Sequence, residues 1–174
     1  MTTRSLFALA ALAVSLTACG SDGPSGNNGP NGQGSFSGTI SGDISKSVTG
    51  DAVFGSSAIN NGFGLLLGDD NDGFIFGREI AGIPGVGEYP IFDLVTGDEE
   101  EAPASNLIGV IGLTVNGTDW ICIPNGGKVN VTSSSSSRLA GTVNLTAECY
   151  RSGSELPSDI TLVGTFSAVG GDVD

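Results

Sequence analysis

The apolar residues of this chain come in runs too short for helices. They gather in stretches such as 36–40, 52–54, 63–67, 74–76, 107–115, 128–132, 139–147 and 160–168, split by Gly, Asn, Asp, Ser or Pro. A core-facing helix needs apolar positions three and four apart over ~10 residues or more, and no stretch sustains that period. Alternation over a few residues, bounded by turn formers, is the pattern of a strand. Phe36-Ser37-Gly38-Thr39-Ile40 and Lys128-Val129-Asn130-Val131-Thr132 both alternate. Glycine supplies much of the punctuation, with 29 of 174 residues against a usual ~7%. The chain therefore reads as all-β. Nine or ten short strands form an antiparallel β-sandwich or, alternatively, a small β-barrel, since both closures ask for the same alternation.

The turns are partly legible. Residues 63–67 and 74–76 flank the polar segment Gly68-Asp69-Asp70-Asn71-Asp72-Gly73, which reads as a β-hairpin. Asn116-Gly117 and Asn125-Gly126 lie between apolar runs, and Asn-Gly favours tight hairpin turns. Residues 133–137 are five consecutive serines and read as a turn. A looser echo joins Gly38-Thr39, Gly141-Thr142 and Gly164-Thr165, each followed by a β-former. Glycine inside a strand marks a bulge or a close backbone approach.

The first part of the chain is of another kind. Arg4 precedes an apolar run from Leu6 to Val14, closing at Leu16. About a dozen apolar residues fall short of the ~20 that span a bilayer, and fit a signal peptide. Then comes Leu16-Thr17-Ala18-Cys19-Gly20. This resembles the lipobox of bacterial lipoproteins. The resemblance implies that the leader, residues 1–18, is removed, that the Cys19 thiol receives a diacylglyceryl group, and that its amine is often acylated as well. Gly20, rather than Asp, follows the cysteine. In two-membrane bacteria this implies outer-membrane placement of the exported, lipid-anchored chain. Residues 19–34 read as a lipid-anchored flexible linker, because from Gly20 onward they hold no aliphatic or aromatic side chain and cannot bury surface. About fifteen such residues reach roughly 20 Å.

Residues 35–169 are the single folded domain, and 170–174 an acidic tail. Gly87-Glu88-Tyr89, Gly127-Lys128-Val129-Asn130-Val131-Thr132, the serine turn and Gly141-Thr142-Val143-Asn144-Leu145-Thr146-Ala147 resemble small bacterial secreted or lipid-anchored β-sandwich domains of no assigned activity. The resemblance implies a fold and no function.

Charge and missing residue types exclude more than they assign. The formal net charge is −13 with no histidine. Such a surface repels phosphate backbones, so nucleic acid is not an expected partner. Ser-His and Cys-His nucleophile pairs and His-ligated metal sites are ruled out. Chemistry run on carboxylates alone needs a fixed pair, and no motif fixes one, so the chain reads as non-enzymatic. Residues 98–101 are an acidic run expected in a solvated loop. The N-x-[ST] sites at Asn116, Asn130 and Asn144 read as chance products of Asn/Thr-rich strands.

Three constellations remain. With Cys19 assigned to lipid, Cys122 and Cys149 are an even pair in an oxidising compartment and an expected disulfide. Laid on a twelve-residue calcium loop, Asp69, Asp70, Asp72 and Glu79 form a possible Ca²⁺ site, although Gly68 stands where the first ligand belongs. Trp120 and Tyr89 are candidates for stacking on a sugar. Alternation, however, puts Trp120 on the face of Cys122, opposite Ile121 and Ile123, which favours a packing role. The expected partners are a membrane through Cys19 and an envelope protein or glycan. The expected function is that of a structural, accessory or adhesion-type module, with a glycan-binding or Ca²⁺-stabilised module as alternatives.

Overall fold

The computed structural model describes residues 33–57, 62–78, 82–96, 103, 105–152 and 156–170. The leader, Cys19, nearly all of the linker, Glu79, the acidic run at 98–101 and the tail at 171–174 lie outside the described residues. The described chain forms nine strands: β1 Ser35–Gly42, β2 Lys46–Ser57, β3 Gly62–Gly68, β4 Asp72–Arg78, β5 Gly87–Pro90, β6 Ile108–Val115, β7 Thr118–Ser134, β8 Arg138–Arg151 and β9 Ser158–Gly170.

Eight of them close into an antiparallel up-and-down barrel. β1, β2, β3, β4, β6, β7, β8 and β9 each pair with the next, and β9 returns to β1 along its whole length, from Ser35↔Ser167 to Gly42↔Ile160. β5 is the extra strand and pairs with the second half of β7. The all-β reading holds. The β-sandwich gives way to its alternative, the small barrel. The reason lies in β7, where Asn125-Gly126 does not turn the chain. The register with β8 slips between Pro124 and Gly126, a β-bulge that bends one strand of 17 residues where two shorter ones were expected. That long strand carries β6 and β5 on one side and β8 on the other. The sheet thereby closes on itself and leaves no long free edge.

The other turns follow the sequence. Asn116 and Gly117 take φ of 53° and 76°, the left-handed pair that a two-residue hairpin requires. The β3–β4 hairpin turns through residues 69–71, with the Asp69 carboxylate accepting from the amides of Asn71 and Asp72 at 2.8 and 2.9 Å. Ser135 closes the serine turn by accepting from the Arg138 amide through its side chain.

Alternation sends one face of every barrel strand inward. Phe36, Phe54, Phe63, Leu65, Phe74 and Phe76 fill one side, and Ile111, Val143, Leu145, Leu162 and Phe166 the other, all 5% exposed or less. Glycine makes room for the rings. In the Gly-Thr echo, Gly141 and Gly164 point inward and the threonines point out. A Cβ on Gly164 would stand 2.8 Å from the Phe36 ring. On Gly141 it would stand 2.9 Å from the Phe166 ring and 2.2 Å from the Asn130 carbonyl oxygen.

An even number of antiparallel strands places both chain ends together. The chain enters at Ser35 and leaves at Gly170 on one end of the barrel, here the tether end. The opposite end, the turn end, carries the short connections 43–45, 69–71 and 116–117.

Candidate functional site

The inside of an eight-stranded barrel either holds a small ligand or fills with side chains. Here it is a packed hydrophobic core. Its polar feature is at the turn end, where alternation carries Lys46 of β2 and Asp72 of β4 inward. Lys46 Nζ donates to Asp72 Oδ1 at 2.7 Å and to the Thr114 carbonyl at 2.9 Å. The Thr114 amide donates to Asp72 Oδ1 at 3.3 Å. The ion pair thus ties β2, β4 and β6 together. With side-chain exposures of 24% and 10%, removing one partner leaves the other poorly solvated and uncompensated. Asp72→Ala is expected to cost about 2–3 kcal/mol, and the double change Lys46→Met with Asp72→Leu clearly less. Urea unfolding of the three chains checks this. A double variant as unstable as the single one would contradict it.

The same geometry spreads apart the described carboxylates of the possible calcium loop. Asp72 faces the core and Lys46, Asp69 is engaged by the turn amides, and Asp70 points to solvent. Glu79 lies outside the described residues. Among the described residues no group of three or more His, Cys, Asp or Glu side chains is placed to hold a metal ion. The reason is period two: strand β4 begins at Asp72 and turns its carboxylate away from those of the turn.

The cysteines do meet. Cys122 of β7 lies directly opposite Cys149 of β8, their sulfurs are bonded at 2.05 Å, and both are fully buried. They meet as cross-strand neighbours, without the hairpin expected at Asn125-Gly126. Trp120 shares their face and packs against the core. Its ring lies 5.2 Å from the Arg151 guanidinium, and its buried Nε1 finds no acceptor among the described residues. Tyr89, nine positions along β7 by register at Val129, sits under Arg78 and donates to the Gly85 carbonyl at 2.9 Å. The two aromatics are separated along the barrel, and each is engaged by an arginine, so they do not form a joint stacking row. Beside the disulfide, the Tyr150 hydroxyl donates to Glu148 at 2.6 Å, and that hydrogen bond holds its pKa above the usual phenol value. Asp93, by the Thr96 hydroxyl it accepts from, is held below the usual carboxylate value.

The outside of the barrel has two contrasting walls. Across β2, β1, β9, β8 and β7 run two rows made mostly of hydroxyl and amide side chains. One is Thr49, Ser37, Thr165, Thr142 and Asn130; the other is Ser47, Thr39, Val163, Asn144 and Lys128. Their middle is a shallow depression of about 490 Å³ lined by Ser37, Thr39, Thr142, Asn144, Val163 and Thr165. Across β2, β3, β4 and β6 runs an aliphatic row, Val53, Leu66, Ile75 and Val110, one residue per strand. It is flanked toward the turn end by Gly68, Gly73 and Gly112 and toward the tether end by Gly55, Gly64 and Gly77.

Comparison with protein-family models, with curated proteins and with solved structures gives no match for this chain. The sequence reading missed Lys46 and both walls. Lys46 shows as the one cation two positions before an inward valine; the rows appear only once register is known.

Proposed function

We propose that the protein is a lipid-tethered, non-enzymatic module of a bacterial cell envelope that works through the outer surface of its barrel. The observation that carries the reading is the run Leu16-Thr17-Ala18-Cys19, set behind an apolar leader and before a linker without apolar side chains. Three further points support it. A buried disulfide suits an exported compartment. The barrel core is filled, which leaves the outside for binding. With no histidine in the chain, neither the serines nor the cysteines have an imidazole base.

In this reading, acyl chains on Cys19 hold the protein in the membrane, each buried methylene contributing ~0.8 kcal/mol. The linker then delivers the tether end toward the membrane and turns the turn end outward. Gly20 after the cysteine places the anchor in the outer membrane where the cell has two. The test is metabolic labelling with an alkyne-bearing palmitate of the full chain and of Cys19→Ser in a two-membrane bacterial host. Wild type is expected to take the label and the variant to take none. Equal labelling of both, or of neither, overturns the anchor.

A further inference from the structure

We propose that the aliphatic wall of β2, β3, β4 and β6 is a docking surface for a basic amphipathic polypeptide segment of another protein. The inference goes beyond the tether reading and does not depend on it.

The row faces outward by construction, with Ile75 exposed and Val53, Leu66 and Val110 half-buried. Leu66 lies between Leu65 and Leu67, both 1% exposed, so it points outward, and Ile75 between the two buried rings of Phe74 and Phe76 is 44% exposed. Register places Leu66 beside Val53 and Ile75, and Ile75 beside Val110. The flanks of this ridge are bare backbone. A Cβ on Gly64, Gly73 or Gly112 would meet nothing within 4 Å. Nothing in the barrel needs those three glycines small, whereas a segment lying along the ridge would use the space. Ile121, 61% exposed and opposite Gly112, extends the apolar surface toward β7.

Charge selects the occupant. Asp51 stands outward on β2 in register with Gly68, Asp69 and Asp70 cap the β3–β4 turn, Asp119 lies two residues before Ile121, and Glu148 stands opposite Ile123. None of the five described basic side chains joins them. Lys46 and Arg78 belong to the inward sets of β2 and β4, Lys128 pairs with Glu88, Arg151 covers Trp120, and Arg138 opens β8 at the tether end. An aliphatic ridge whose turn-end border and β8 side are acidic complements a segment with apolar side chains along one face and Lys or Arg along one border. A second copy of a chain with net charge −13 brings the wrong sign, and so does an anionic bilayer.

The test uses the full chain in non-ionic detergent micelles and a designed 14-residue Leu/Lys amphipathic peptide, with its Glu-for-Lys counterpart and empty micelles as controls. Calorimetry is expected to show binding of the Lys peptide and none of the Glu peptide. Leu66→Ser and Ile75→Ser should each weaken it about tenfold. Asp51→Lys, an exposed change that leaves packing alone, should weaken it severalfold. Val163→Ser on the opposite wall should leave it unchanged. The proposal is overturned by no binding to wild type, by equal binding of the Glu peptide, by an equal loss in Val163→Ser, or by a dimer that Ile75→Ser dissociates, which would assign the wall to a second copy.

Discussion

Gly141→Ala should destabilise the barrel by about 3 kcal/mol or more, while Gly64→Ala should change it by less than about 0.5 kcal/mol. Both are glycines in the middle of a strand, and propensity alone would have alanine help both slightly through the unfolded chain. The surroundings decide otherwise. At Gly141 the new Cβ would stand 2.2 Å from the Asn130 carbonyl oxygen on the paired strand β7 and 2.9 Å from the Phe166 ring. The ring can yield, but the carbonyl belongs to the β7–β8 ladder, so relief requires the longest pair of strands to separate. At Gly64 the Cβ meets nothing. Denaturant unfolding at constant m-value reads the difference directly. A trimmed ring, Phe166→Leu, should recover only part of the Gly141→Ala loss, because the carbonyl contact remains. Full recovery would show that the ring alone sets the constraint, and equal stability of the two alanine variants would contradict the inward placement of Gly141.

Removing both disulfide cysteines, Cys122→Ala with Cys149→Ala, should cost roughly 3–4 kcal/mol. The bond joins residues 27 apart, and closing a loop of that size restricts the unfolded chain by about that amount. For a domain of this size the midpoint of thermal unfolding should fall by about 10–15 °C. The native fold should survive, since Cys122 and Cys149 are already neighbours by register and need no bond to be brought together. Both are fully buried, so mild reductant should leave the native disulfide intact and act only once the barrel is opened by denaturant. Rapid reduction under native conditions would contradict that burial.

Local chemistry made much of the fold readable in advance. Period-two alternation located the strands, Asn116-Gly117 turned as its residue types require, and Trp120 sits on the face of Cys122. Asn125-Gly126 misled because the same dipeptide that closes a hairpin also fits a bulge within a continuing strand. The choice depends on whether β8 pairs on both sides of it, which is a nonlocal fact. The β-sandwich yielded to the barrel for the same reason: alternation says which residues point inward, but not whether the last strand returns to the first. The calcium pattern fitted the spacing of Asp69, Asp70 and Asp72, yet strand β4 begins at Asp72 and sends its carboxylate to Lys46. The aliphatic ridge was hidden altogether. Val53, Leu66, Ile75 and Val110 are far apart in sequence, each looks like one more apolar residue of a strand, and only the register makes them a row.

In the proposed reading a lipid tether gives this barrel its place and orientation, and the mature N-terminus reports on it. Mass analysis of the N-terminal peptide, from the full chain purified out of bacterial membranes, should find the chain beginning at Cys19. The cysteine should carry a diacylglyceryl group on its thiol. A chain that keeps residues 1–18, or one that starts elsewhere with Cys19 unmodified, would contradict a lipid-anchored module.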